Sequence, residues 1–186
     1  MNASLAKSSL RSYLRRFARD REAVSAVEFA VILPVMLSLY IGGAELGNGL
    51  SIQFKSSLAA RTVTDLASQY VSIDNATMSS ILNASSQVIS PYSGAGMTVT
   101  LSEITTNSAG QGSVTWSDSL NGTARTVGST VTLPTNLQTA NITILYGEVS
   151  YPYTPPMGYV ITGTININES TYFYPRLSTT IARVNS

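Results

Sequence analysis

Apolar residues run almost unbroken from Ala23 to Ala44, thin to a periodic stripe between Leu46 and Tyr70, and alternate with polar residues after Met97. The three patterns predict three kinds of element. The first run, about 22 residues, makes a helix of about 33 Å, which matches a hydrocarbon core of about 30 Å. Its one charge is Glu28, near its start. We read residues 24–44 as a transmembrane helix. A secretory signal is the rival reading, but its apolar region usually spans about 7–15 residues, and no small-x-small cleavage site closes this run.

Residues 45–74 are expected to continue the same helix outside the membrane. Leu46, Leu50, Phe54, Leu58, Leu66 and Tyr70 recur at fours and eights, close to a helical stripe. Lys55, Arg61, Asp65 and Gln69 lie mostly off it. Gly47 and Gly49 weaken the helix near the membrane exit, each by about 1 kcal/mol against alanine. Asp74 has the chemistry of an N-cap for a short helix over Ala76–Val88, which Pro91 and Gly94 end.

Strand patterns follow at Thr98–Ile104, Ser113–Ser117, Asn141–Tyr151, Tyr159–Ile167 and Ser170–Tyr174. Turn-like stretches at Asn107–Gly112, Asp118–Gly122 and Pro152–Gly158 separate them, and Leu133–Leu137 suits a short turn or helix. With no helix between these strands, the sheet is expected to be antiparallel. The fold class is α+β: a long N-terminal helix packed on a small antiparallel sheet, with 75–186 as the outer domain. The helix stripe needs a cover and the apolar face of the sheet needs a partner, so each is expected to bury the other.

Charge orients the chain. Lys7, Arg11, Arg15, Arg16, Arg19 and Arg21 crowd the leader, residues 1–23, and place it in the cytoplasm. Everything after Ala44 then lies outside the inner membrane. Only 11% of residues are charged, against roughly a quarter in an ordinary soluble domain, so the outer surface must be built mostly from Ser, Thr, Asn and Gln. The net charge of +1 gives no bias toward nucleic acid. The chain has no cysteine and no histidine, which removes disulfides, thiol chemistry and the commonest general base and metal ligand.

Candidate chemistry is sparse. Glu103, Asp118, Glu148 and Glu169 could in principle include a glycosidase pair, but their spacing does not favour one. Ser4-Leu-Ala-Lys7 matches a Ser-x-x-Lys only in form, inside a basic tail. No phosphate loop or metal cluster is present, and no cofactor, metal, nucleic acid or small-molecule substrate is expected; the chain does not read as an enzyme. Tyr146, Tyr151, Tyr153, Tyr159, Tyr172 and Tyr174 either cover a sheet or form a contact surface. Gly43 and Gly47 are either a small-xxx-small helix contact or a loosened helix, and Glu45 reads as an exposed charge at the outer headgroups. Glu28 either snorkels to the headgroups or meets a partner, because a carboxylate in hydrocarbon costs about 2.5–3.5 kcal/mol or more.

The segment Arg19-Asp-Arg-Glu-Ala-Val-Ser-Ala-Val-Glu-Phe-Ala-Val-Ile-Leu-Pro34 resembles the head of TadE-like proteins, pseudopilins of the tight-adherence (Flp, type IVc) pilus. Glu148-Val-Ser-Tyr-Pro-Tyr-Thr-Pro155 and Tyr174-Pro-Arg176 resemble later motifs of the family, in the expected order. The resemblance implies cleavage by a prepilin peptidase between Ala23 and Val24, leaving Glu28 fifth in the mature chain. The family usually has glycine where this chain has Ala23. Glu28 would pair with the new N-terminal amine of a neighbouring subunit, while Phe29 and the apolar run bundle and Pro34 kinks the helix. The implied partners are the inner membrane, the peptidase and other pilus subunits. The alternative is an uncleaved single-pass anchor or scaffold of the same secretion machine.

Overall fold

The computed structural model describes residues 21–158 and 162–184, with side chains from Val24 onward. Most of the basic leader, and residues 159–161 where a strand is expected to begin, lie outside the described residues. The described chain divides into two compact units: residues up to Leu46 with Pro156–Thr162, and Gly47–Pro155 with Gly163 onward.

One helix, α1 (Arg21–Ser68), contributes to both units and contains Pro34. Proline lacks the N–H that the carbonyl one turn earlier would accept. One turn later the Ser38 hydroxyl donates to the Pro34 carbonyl at 2.8 Å. The expected outer continuation ends at Ser68, before residue 74, and the chain then forms a two-residue strand, β1 (Ser72–Ile73).

In the first unit, every side chain from Val24 to Tyr40 is exposed. Glu45 departs from expectation. It is only 3% exposed and accepts a hydrogen bond from the Gly158 N–H at 2.8 Å. The turn after Pro156 thus supplies a backbone donor where water was expected.

The second unit holds the sheet. After α2 (Asn75–Val88) come β2 (Thr98–Thr106), β3 (Gly112–Leu120), β4 (Thr130–Val131), β5 (Thr143–Tyr153), β6 (Ile165–Phe173) and β7 (Ala182–Arg183). Asp74 caps α2 as expected, its Oδ1 accepting from the Thr77 N–H at 2.7 Å. The Lys55 ammonium grips the other end, donating to the Val88 and Ser90 carbonyls, where the helix dipole favours a cation. The antiparallel order is β4-β3-β2-β5-β6, and β1 and β7 form a separate parallel pair. Asp118–Leu120 and Pro152–Tyr153, expected in turns, extend strands. Of the two strands expected over Tyr159–Tyr174, the described residues form one, β6, which begins two residues after Gly163 with its positive φ of 89°.

The largest correction concerns what the sheet covers. Leu46, Leu50, Phe54, Leu58 and Tyr70 are exposed, Phe54 by 75%, and only Leu66 is half-buried. The buried side of α1 is instead Ile52, Ser56, Ala59, Ala60, Val63, Thr64 and Ala67. The reason is distance. On β5, Gly147 has no side chain, and a Cβ there would collide with Thr64 Oγ1 and sit 3.2 Å from the Ala60 carbonyl oxygen. Small residues on the helix and a glycine on the strand let the two backbones close together, which large side chains would prevent.

The sheet is also covered on both faces, where alternation suggested one wet face. Val99, Leu101, Leu145 and Val149 join Val63, Ile81, Leu82 and Ile181 in one core. On the other face Ile104, Val114 and Ile144 meet Val131 and Leu133, brought back by the stretch between β3 and β5. Thr115 has no partner in the β2–β3 ladder, a bulge between the Glu103↔Trp116 and Ile104↔Val114 pairs.

Two substitutions separate the closely packed face from the exposed stripe. Gly147→Val is expected to destabilise the detergent-solubilised chain by about 1–3 kcal/mol through overpacking. Phe54→Ala, despite removing a whole aromatic ring, is expected to change stability by about 0.5 kcal/mol or less. Chemical denaturation followed by Trp116 fluorescence measures both, and the reverse ranking would restore the stripe as the packed face.

Candidate assembly site

The residues singled out from the sequence lie on α1, and no fold contact gathers them into a pocket. Ala23 and Val24 are in its first turn. Glu28 and Phe29 are exposed, and Pro34 follows within two turns. At about 100° per residue, Phe29 is offset about 100° from Glu28 and Pro34 about 240°. They mark different sides of one rod, so any joint action needs neighbours on several sides.

α1 is the described helix long and apolar enough to cross a membrane, and none of its most apolar window is buried within the chain. A core helix of a soluble protein would be mostly covered. The rod carries two further features. Ala26, Ala30, Pro34, Ser38 and Gly42 repeat at every fourth position, a line of small residues along which another helix could approach closely. Farther out, Leu50, Phe54 and Leu58 form a ridge of large apolar side chains in contact with solvent. The four-residue spacing was legible; which side of the helix it would face was not.

Residues 23–65 match the TadE-like protein family. No curated protein and no solved structure matches the chain. The TadE-like match covers the apolar run and most of the outer helix, and stops before the first strand. The later motifs, Glu148–Pro155 and Tyr174–Arg176, lie outside it. Together, the TadE-like match and the bare apolar helix support a membrane protein associated with a pilus.

The later motifs have structural tasks. The Arg176 N–H donates to the Ser68 carbonyl at 2.9 Å and its guanidinium pairs with Asp65, so this motif caps the C-terminal end of α1. Glu148 accepts both prongs of Arg125 at 2.7 Å, and the same guanidinium lies 5.3 Å above the Tyr146 ring. Tyr146 stacks on Tyr172 with centroids 4.5 Å apart. Its hydroxyl pKa is pushed far up, first by burial and then by the Glu148 charge. Tyr153 is buried, Tyr151 packs against the core, Tyr174 is exposed and Tyr159 lies outside the described residues.

Three of the four carboxylates considered for sugar chemistry hold structural partners. Besides Glu148, Asp118 takes both Nε and Nη2 of Arg183, which also reaches Asn75 and the Ile73 carbonyl. Glu103 is 1% exposed and accepts the Ile181 N–H at 2.7 Å. Its cross-strand partner Trp116 donates Nε1–H to the Ile181 carbonyl at 2.8 Å. Side chains thus satisfy both backbone groups of Ile181 and clamp the C-terminal segment to the sheet.

Burial raises the Glu103 pKa above the ordinary value of 4.5, against the smaller lowering effect of the Ile181 N–H. A carboxyl whose pKa is raised on folding holds its proton more tightly in the folded chain, so its stabilising contribution is complete below the unfolded value and is lost as pH rises through the folded value. Asp74 works in the opposite sense, because the Thr77 N–H lowers its pKa and its contribution fades as pH falls. Glu103→Gln is therefore expected to flatten the loss of stability as pH rises above the ordinary value of 4.5, relative to the parent chain. Unfolding midpoints measured across that rise test this, and parallel curves for the two proteins would show that Glu103 is not the group responsible.

Proposed function

We propose that this chain is a membrane-anchored minor pilin, or assembly factor, of a bacterial tight-adherence pilus. Residues 24–44 hold it in the inner membrane with the leader in the cytoplasm and the sheet domain outside. A prepilin peptidase cuts between Ala23 and Val24. The observation that carries this reading is the TadE-like match lying on a helix whose apolar length the other described residues leave bare. Such a helix needs a solvent other than water: lipid before assembly and neighbouring subunits afterwards.

Glu28 gives assembly its register. Removing a carboxylate from water is costly unless a cation meets it, and the amine released at Val24 of a neighbour is one. Phe29 and the run beyond it pack among neighbouring helices. Pro34 lies on the small-residue line, where its missing N–H and narrow profile suit close approach. The exposed Leu50, Phe54 and Leu58 continue the contact surface outside the membrane.

Ala23, in place of the usual glycine, favours a second reading, in which the same chain is an uncleaved anchor for the secretion machine. The two readings differ at the N-terminus. N-terminal sequencing and intact mass of the membrane-extracted protein are expected to show a chain starting at Val24 only in cells that contain the peptidase. A chain starting at Met1 in both strains would select the uncleaved anchor. Separately, Glu28→Ala is expected to leave the protein in the membrane fraction while pili disappear from electron micrographs; wild-type pilus numbers would remove Glu28 from the assembly role.

A further inference from the structure

The two edges of the sheet are built differently. One is β4, only two residues long, and a short strand offers little for another chain to pair with. The other is β6, nine residues long and paired with β5 without a register break from Leu145↔Phe173 to Tyr153↔Ile165. It contains no proline, no lysine and no bulge; the charge of Glu169 is the one feature within the strand that blunts this edge. In an antiparallel pair, alternate residues turn their N–H and C=O groups away from the partner strand. Among the described residues, no backbone hydrogen bond reaches those outer groups of β6.

Glu169 is the middle residue of β6 and its only charge. Its cross-strand partner Val149 belongs to the helix-side core, so Glu169 stands on that face. It has no ion pair or hydrogen bond among the described residues. Asn166, Asn168 and Ser170 stand on the other face and are exposed. The strand thus presents free backbone groups, a polar row on one face and a single unpaired carboxylate on the other.

We infer that β6 is a docking edge that accepts an extended segment of a different polypeptide as a sixth strand, with a lysine or arginine opposite Glu169. Backbone pairing supplies affinity, and the charge sets register, because a one-residue slip would move the cation to the opposite face. A second copy of this chain fits poorly. Full antiparallel overlap of two β6 strands places Glu169 directly against Glu169, a destabilising pair.

The test uses the full chain in detergent micelles and fluorescent nonapeptides of alternating threonine and valine, with either lysine or glutamate at the fifth position. The lysine probe is expected to bind saturably and about fivefold more tightly than the glutamate probe. Glu169→Lys should reverse that order, Glu169→Gln should abolish the preference, and a lysine probe with prolines at alternate positions should not bind. Absence of binding, or a preference unaffected by Glu169→Lys, overturns the proposal. The chain has no cysteine, so Asn168→Cys introduces a single thiol. Oxidative cross-linking of that variant to itself, above the level of a Thr123→Cys control, would identify a second copy as the occupant and also overturn it. Peptide binding in micelles is independent of cleavage and membrane orientation, so its failure leaves the anchored reading standing. A chain found outside the membrane fraction would remove that reading without touching the edge.

Discussion

The close approach of α1 to β5 is the constraint on which the rest of the structure depends. Ala60 and Thr64 lie against Gly147 at a distance that leaves no room for a side chain on the strand. Ser56 shows that size, more than polarity, selected this face: its hydroxyl is buried without a hydrogen-bond partner among the described residues, at a cost of order 1–3 kcal/mol. Thr64 avoids that cost by donating to the Ala60 carbonyl at 2.7 Å. Once the small side of the helix faces the sheet, rotation by the helical period carries Leu50, Phe54 and Leu58 into solvent. The exposed ridge is therefore a consequence of the packed face.

The domain is then closed by polar contacts that reach far along the chain. Arg176 ties the chain after β6 to Asp65 and Ser68 at the end of α1. Glu103 and Trp116, opposite one another on neighbouring strands, hold the two backbone groups of Ile181, and Arg183 fastens the next turn of chain to Asp118. With no disulfide available, side-chain hydrogen bonds to backbone hold the C-terminal segment in place. The Arg125–Glu148 fork over the Tyr146–Tyr172 stack does similar work on the opposite face. Glu103, Asp118 and Glu148 are employed as fasteners, and Glu169, half-buried on the edge strand, has no such partner among the described residues.

Much of this was legible in the amino-acid order. A membrane-length apolar run with basic residues before it is decided by local composition, as are the Asp74 cap, the strand alternation and the α+β class. Short-range physics governs each, so the residues that decide them are neighbours in sequence. The residues proposed for assembly, Ala23 to Pro34, were legible for the same reason: their signal is a motif on one helix, and folding does not bring them together.

What the sequence left open was every choice between two faces. The stripe from Leu46 to Leu58 satisfied the helical period as well as Ile52 to Ala67 does, and only Gly147, some eighty residues farther on, decides between them. The outer cover of the sheet depends on the stretch between β3 and β5 folding back, and the burial of Glu45 on an N–H from Gly158. Such contacts join residues far apart in the chain, and composition carries no record of distance. The sequence determined the helices, most of the strand positions and the run long and apolar enough to cross a membrane, because those follow from nearest neighbours. Tertiary structure alone decided which side of each segment is hidden and which is left for a partner, because that depends on what the remainder of the chain brings against it.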